Sequence, residues 1–163
     1  MTLYFYEKSE HHKSADTDEL IRESIHREFT PCGEIIVKKT EKGKPYVNLP
    51  CHVGVTHTDK IVIIGVDDKN FGIDCEDLTR NIHRKEQICE KYFTQNERSF
   101  IDGSTDKNTA FLETWVKKEA YVKFTGEGLS GMKNCDVTTL SGFEKIENNR
   151  NLIIYIYKGN NNE

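Results

Sequence analysis

The sequence predicts an α+β fold, with mostly antiparallel strands and one long central helix. Three observations predict it. Strand-like runs at 51–56, 60–66 and 71–76 follow one another closely, separated only by Thr58-Asp59-Lys60 and Asp67-Asp68-Lys69-Asn70. Such short polar connections close hairpins and are too short for crossovers to parallel neighbours. One strong helical period follows, with Phe111, Leu112, Trp115, Val116, Ala120 and Phe124 on a single face. Strand-like sequence then returns and ends in Leu152-Ile153-Ile154-Tyr155-Ile156-Tyr157.

The elements read in order as follows. Leu3-Tyr4-Phe5-Tyr6 is aromatic enough for a short strand. Leu20, Ile21, Ile25 and Phe29 recur at helical spacing, so residues 16–29 form a helix, which Pro31 and Gly33 end. Glu34 to Lys38 is a strand, and Thr40 to Pro45 a polar turn. Beyond the three central strands, 78–102 is helical and rich in charge. The helix over 108–124 stops at Gly126 and Gly128. Strands are expected at 136–139, 143–146 and 152–157, before a disordered tail.

Composition narrows the function classes. The 163 residues are 36% hydrophobic and 31% charged, the balance of an ordinary globular protein with a real core. The longest apolar run is Ile61 to Val66, far short of the roughly 18 residues a membrane span needs. Residues 1–7 carry no basic leader segment. A net charge of −4, with 23 lysines and arginines spread along the chain, gives no footprint for nucleic acid. Cys32, Cys51, Cys75, Cys89 and Cys135 are an odd, scattered set without a Cys-x-x-Cys, which fits reduced thiols in a cytoplasmic protein.

Two segments carry candidate chemistry. In a strand, residues i and i+2 share a face, so Gly72-Ile73-Asp74-Cys75-Glu76 presents Asp74 and Glu76 side by side. Paired carboxylates repel, and a hard divalent cation removes that cost. The same pattern also reads as a solvent-facing acidic strand end. On the central helix, Glu119 and Lys123 stand one turn apart: an exposed surface pair, or a ligand and a fixed positive charge for metal and phosphate. Gly126-Glu127-Gly128-Leu129-Ser130-Gly131 has the letters of a dinucleotide fingerprint but follows a helix, so it reads as a helix stop and mobile loop. His52 and His57, an odd number of residues apart, fall on opposite strand faces and cannot share a metal. Cys75, beside acids, is a poor nucleophile. The stretch 78–98 holds five basic residues against Glu86, Glu90 and Glu97, and reads either as a solvated helix face or as a surface for an acidic partner.

Taken in order, Gly43-Lys44-Pro45-Tyr46, Val55-Thr56-His57-Thr58, Gly72-Ile73-Asp74-Cys75-Glu76 and Trp115-Val116-Lys117-Lys118-Glu119-Ala120-Tyr121-Val122-Lys123 resemble the 4′-phosphopantetheinyl transferases of the surfactin-synthetase-activating type. The resemblance covers roughly residues 11–157. It implies two pseudo-symmetric lobes, each an antiparallel sheet packed on a helix: an abbreviated N-terminal lobe over 1–66 and a C-terminal lobe over 67–157, followed by the tail 158–163. It also implies transfer of the phosphopantetheine arm of coenzyme A to a serine of an apo carrier protein, with adenosine 3′,5′-bisphosphate leaving. By match to the family's motifs, Asp74, Glu76 and Glu119 are the ligands of a Mg²⁺ ion, and Glu119 is also the general base. Lys123 contacts the pyrophosphate. Gly43, Lys44 and Pro45 form the loop beside the adenine, His57 and Thr56 meet the 3′-phosphate, and Lys13 of His12-Lys13-Ser14 is a further phosphate contact. The stretch 78–98 corresponds to the docking region for an acidic carrier protein. The enzyme is expected to act as a monomer in the cytoplasm. Two other readings remain: a relative that binds coenzyme A or carrier without transferring, and a metal-dependent hydrolase of nucleotide pyrophosphates.

Overall fold

A computed structural model describes residues 1–8 and 14–159, with side chains of the first helix described from Thr17 onward. Its contacts divide the chain into two units, Met1–Phe71 and Gly72–Glu163.

In the first unit, strands β1 (Thr2–Glu7), β4 (His52–His57) and β5 (Ile61–Asp67) form an antiparallel sheet in the order β1-β5-β4. The apolar run predicted for the centre becomes its middle strand, with Ile64 paired to Tyr4 on one side and Val55 on the other. Helix α1 (Ser14–Glu28) buries Ile21 and Ile25 against Val53, Val62, Ile64 and Val66. The Tyr6 hydroxyl meets Ser24 Oγ at 2.9 Å, tying helix to sheet. Strands β2 (Val37–Lys39) and β3 (Pro45–Val47) form a separate hairpin.

The hairpin corrects one expectation. The strand expected at 34–38 runs over 37–39 instead, and a second strand starts at Pro45, where the polar turn ends. Asn48 explains the shift: its side-chain Oδ1 accepts from the Ile36 N–H at 2.9 Å and its Nδ2 donates to the Glu34 carbonyl at 3.0 Å. A side-chain amide thus satisfies the backbone that a longer strand would have paired.

In the second unit, β6 (Gly72–Asp77), β7 (Phe143–Lys145) and β8 (Leu152–Tyr157) form an antiparallel sheet in the order β6-β8-β7. Helix α4 (Lys107–Thr125) lies on it, capped by Asp106 Oδ1 accepting from the Thr109 N–H and ended by Gly126 at φ 75°. Its Phe111, Leu112 and Val116 join Phe93, Ile101, Ile153 and Tyr155 in the core.

Three expectations need correction here. The helical stretch 78–102 is two helices, α2 (Lys85–Tyr92) and α3 (Gln95–Gly103). Thr94 separates them, forming a capping box with Glu97 that starts a new helix where the old one stops. Residues 136–139 are a turn, because Asp136 Oδ1 accepts from both the Thr138 N–H and its hydroxyl. Gly126 is the helix stop expected, but Gly128–Asn134 is a 3₁₀ helix where a loop was expected.

Candidate metal and phosphate site

Strand β6 and helix α4 supply the site. The two-residue period of β6 places Gly72, Asp74 and Glu76 on one face. Asp74 and Glu76 are 6% and 5% exposed, so they are not a solvent-facing strand end. Lys123 of α4 donates to Asp74 Oδ1 at 2.7 Å. The lysine thus reaches across to the strand, which a plain surface pair with Glu119 would not do. Glu76 accepts from the Arg80 guanidinium.

Glu119 lies one turn before Lys123 and completes an acidic cluster. Burial, and then the charge of Asp74, push its carboxyl up to about 7; Lys123 opposes this and Glu76 adds to it. Burial also raises the Glu76 carboxyl, against the pull of Arg80, with Asp74 contributing in the same direction. Burial lowers the Lys123 ammonium, but Asp74 and Glu119 outweigh it and hold its pKa above the ordinary lysine value. Three carboxylates and one ammonium therefore sense one another in a poorly hydrated place.

The donor chemistry is all oxygen and anionic, and the mutual repulsion is of the kind a hard divalent cation relieves. As the side chains stand, no group of three or more His, Cys, Asp or Glu among the described residues is gathered closely enough to hold a metal ion.

The remaining predicted site residues lie in the first unit. Gly43, at φ 86°, donates to the Thr40 carbonyl at 2.9 Å and makes the turn into β3. Lys44 Nζ donates to Asn70 Oδ1 at 2.8 Å, and Pro45 begins β3 opposite Lys39. Thr56 is buried on β4, and its neighbour His57 is exposed at the strand end. His52, at the other end of β4, is also exposed. Lys13 lies outside the described residues.

One ion pair was not anticipated. Lys118 Nζ donates to both Glu97 carboxylate oxygens at 2.8 Å and to the Cys135 carbonyl at 2.9 Å, with both side chains fully buried. Glu97 also accepts from the N–H groups of Thr94 and Val137. The sequence does carry a signal for Lys118. It falls on the helical stripe of Phe111, Trp115 and Val122, where a lysine is out of place unless paired. With Glu97 paired to Lys118 and Arg80 paired to Glu76, Arg84, Lys85, Lys91 and Arg98 remain in 78–98 against Glu86 and Glu90.

Among the described residues no helix is long and apolar enough to cross a membrane, and all five cysteines are free thiols.

Comparison with known proteins places this site in context. The model of the 4′-phosphopantetheinyl transferase superfamily matches residues 70–155, just over half the chain, and includes all of β6 and α4. The chain is 32% identical over 131 residues to 4′-phosphopantetheinyl transferase Sfp of Bacillus subtilis (strain 168), covering 77% of this chain and 57% of that protein. It is 32% identical over 101 residues to 4′-phosphopantetheinyl transferase gsp of Aneurinibacillus migulanus, covering 61% and 41%. A shorter match, 39% identical over 59 residues, is to fatty acid synthase alpha subunit hexA of Dothistroma septosporum, covering 36% and 18%. The chain spans about half the length of the transferases it matches.

Proposed function

The chain belongs to the 4′-phosphopantetheinyl transferase superfamily, and from that premise we propose that it transfers the phosphopantetheine arm of coenzyme A to a serine of an apo carrier protein. The observation that carries the reading is the grouping of buried Asp74 and Glu76 with half-buried Glu119 and Lys123 inside the segment that matches the family.

In the reaction proposed, the serine hydroxyl of the carrier attacks the phosphorus that bears the arm. The phosphorus–oxygen bond within the pyrophosphate breaks, and adenosine 3′,5′-bisphosphate leaves with the bonding electrons. Glu119 takes the serine proton. In the metal-free site, burial and the charge of Asp74 push its carboxyl up to about 7, which makes it a better base than an ordinary glutamate. Lys123 sets a fixed positive charge against the pyrophosphate, and Asp74 holds its ammonium in place. Asp74, Glu76 and Glu119 would hold Mg²⁺, which when bound neutralises charge on the pyrophosphate. Phosphoryl-group transfer asks mainly for positioning and charge neutralisation, so the cluster suffices without a covalent nucleophile.

Gly43, Lys44 and Pro45, with Thr56, His57 and Lys13, would contact the adenine and phosphates of coenzyme A. The segment 78–98 would dock an acidic carrier; with Glu97 paired to Lys118 and Arg80 paired to Glu76, it keeps the basic excess of its sequence, Arg84, Lys85, Lys91 and Arg98 against Glu86 and Glu90. Each unit carries a three-stranded antiparallel sheet and a helix packed on it, which supports pseudo-symmetric lobes. Free thiols fit a cytoplasmic setting, where the protein would act as a monomer.

Incubating the protein with coenzyme A, Mg²⁺ and an apo carrier and then weighing the carrier tests the proposal. A mass gain equal to the phosphopantetheine arm is expected. An unchanged carrier with coenzyme A bound to the protein points instead to a non-transferring relative, and free hydrolysis products point to a hydrolase.

A further inference from the structure

Strand β6 begins at Gly72, and the space around that residue is too tight for any side chain. A Cβ built there would lie 1.9 Å from the Ala120 carbonyl oxygen and 2.5 Å from the Phe124 nitrogen. Those are the two atoms that an α-helix joins by its i to i+4 hydrogen bond. The backbone of β6 therefore rests directly on the backbone of α4, with no side chain between them. Ala120, itself fully buried, is the small residue on the helix side of the contact.

The position of this contact is what gives it a consequence. Ala120 and Phe124 directly follow Glu119 and Lys123 on α4, and Gly72 stands two residues before Asp74 on the same strand face. The gap at Gly72 thus sets how far Asp74 lies from Lys123, which it meets at 2.7 Å, and how strongly it acts on Glu119. The obstacle to a larger residue is helix backbone, which cannot rotate aside as a side-chain tip can. The φ of Gly72 lies outside the left-handed region, so nothing but space demands glycine.

We propose that Gly72 is a positioning residue: its missing side chain sets the spacing between β6 and α4 that brings Asp74 within reach of Glu119 and Lys123. The inference rests on the reading of that cluster as a cation and pyrophosphate site. A methyl group at this position pushes α4 outward and lengthens the Asp74–Lys123 contact, so that Asp74 and Glu119 are held too far apart to be drawn onto one ion.

The test uses the full chain as Gly72→Ala, with Gly103→Ala as a control, since a Cβ at Gly103 meets nothing within 4 Å. Each is titrated calorimetrically with MnCl₂ and assayed for transfer. Gly72→Ala is expected to weaken Mn²⁺ binding at least tenfold and to lower kcat while the KM for the carrier stays unchanged; Gly103→Ala changes neither. In a Lys123→Met background the loss of Mn²⁺ affinity on Gly72→Ala is expected to shrink, whereas a general loss of stability would act alike in both backgrounds. Wild-type Mn²⁺ affinity in Gly72→Ala, or an equal loss in both backgrounds, overturns the proposal. Native-state hydrogen exchange at the Phe124 amide reads the contact without any cation. Protection like that of the α4 interior is expected in the wild type, and exchange like that of a frayed helix end overturns the proposal, even where Gly72→Ala does not fold. A wild-type protein that keeps Phe124 protected but neither binds Mn²⁺ nor transfers refutes the functional reading and leaves the contact itself intact.

Discussion

Glu119 concentrates the tension of the site in one side chain. It is held beside two other acids in a poorly hydrated place, which costs stability and raises its basicity together. Glu119→Gln keeps the shape and removes the charge, so we expect transfer to fall by roughly 10²- to 10⁴-fold, the usual share of a general base. The thermal midpoint is not expected to fall; an active Glu119→Gln enzyme would refute the assignment. Asp136 works in the opposite sense. Burial raises its carboxyl, but hydrogen bonds from Thr138, Asn96 and Thr94 outweigh that and hold it below the ordinary aspartate value. Its stabilisation is therefore complete above the unfolded aspartate pKa and is lost as the pH falls through it toward the lower folded value. Urea midpoints measured from pH 6 down to 3 should drop less steeply in Asp136→Asn than in the wild type.

Elements in this protein are fastened to one another at a few buried polar points. The Lys118–Glu97 pair joins α4 to α3 and, through Cys135 and Val137, to the chain that follows the 3₁₀ helix. The cysteine carbonyl and the two backbone N–H groups lie within hydrogen-bonding distance of it, so the pair is satisfied, but breaking it strands a charge. Lys118→Met is expected to cost about 3–5 kcal/mol in urea unfolding, the usual penalty for halving a buried pair. Adding Glu97→Gln should recover part of that loss, because the charge left behind is gone while an amide oxygen still accepts from Thr94 or Val137. If the double variant is no more stable than the single, the cost lies in packing and not in the stranded carboxylate.

The same scale shows where sequence reading succeeds. Strands β4, β5, β6 and β8 and helix α4 are legible because their periods are long and their apolar residues reach a core. The pairing of Asp74 with Glu76 on one face follows from the strand period alone. What was not legible depends on distant partners. Asn48 shortens β2 from twelve residues away, Glu97 buries itself only because Lys118 meets it, and Asp136 turns a strand-like segment into an Asx turn.

For the molecule as a whole, charge is distributed against its overall sign. The chain carries −4 in total, yet the stretch 78–98 keeps four basic residues against Glu86 and Glu90 once Arg80 pairs with Glu76 and Glu97 with Lys118. If that stretch docks an acidic carrier, the KM for the carrier should rise with salt while the KM for coenzyme A changes less. Going from about 0.1 M to about 1 M salt shortens electrostatic screening from about 10 Å to about 3 Å. A carrier KM that is flat across that range would place the docking surface elsewhere.

By itself the sequence determined the α+β class, the two carboxylates on one strand face, the helix that carries Glu119 and Lys123, and the family resemblance that the comparisons establish. These are local matters, fixed by spacing along the chain. Tertiary structure alone decided that Asp74 is held by Lys123, that Glu119 is pushed up by burial and then by its acidic neighbours, that Lys118 is internal and that Gly72 leaves β6 in backbone contact with α4. The reason is physical: burial, charge coupling and close approach are properties of distance through space, and no spacing in the sequence measures that distance.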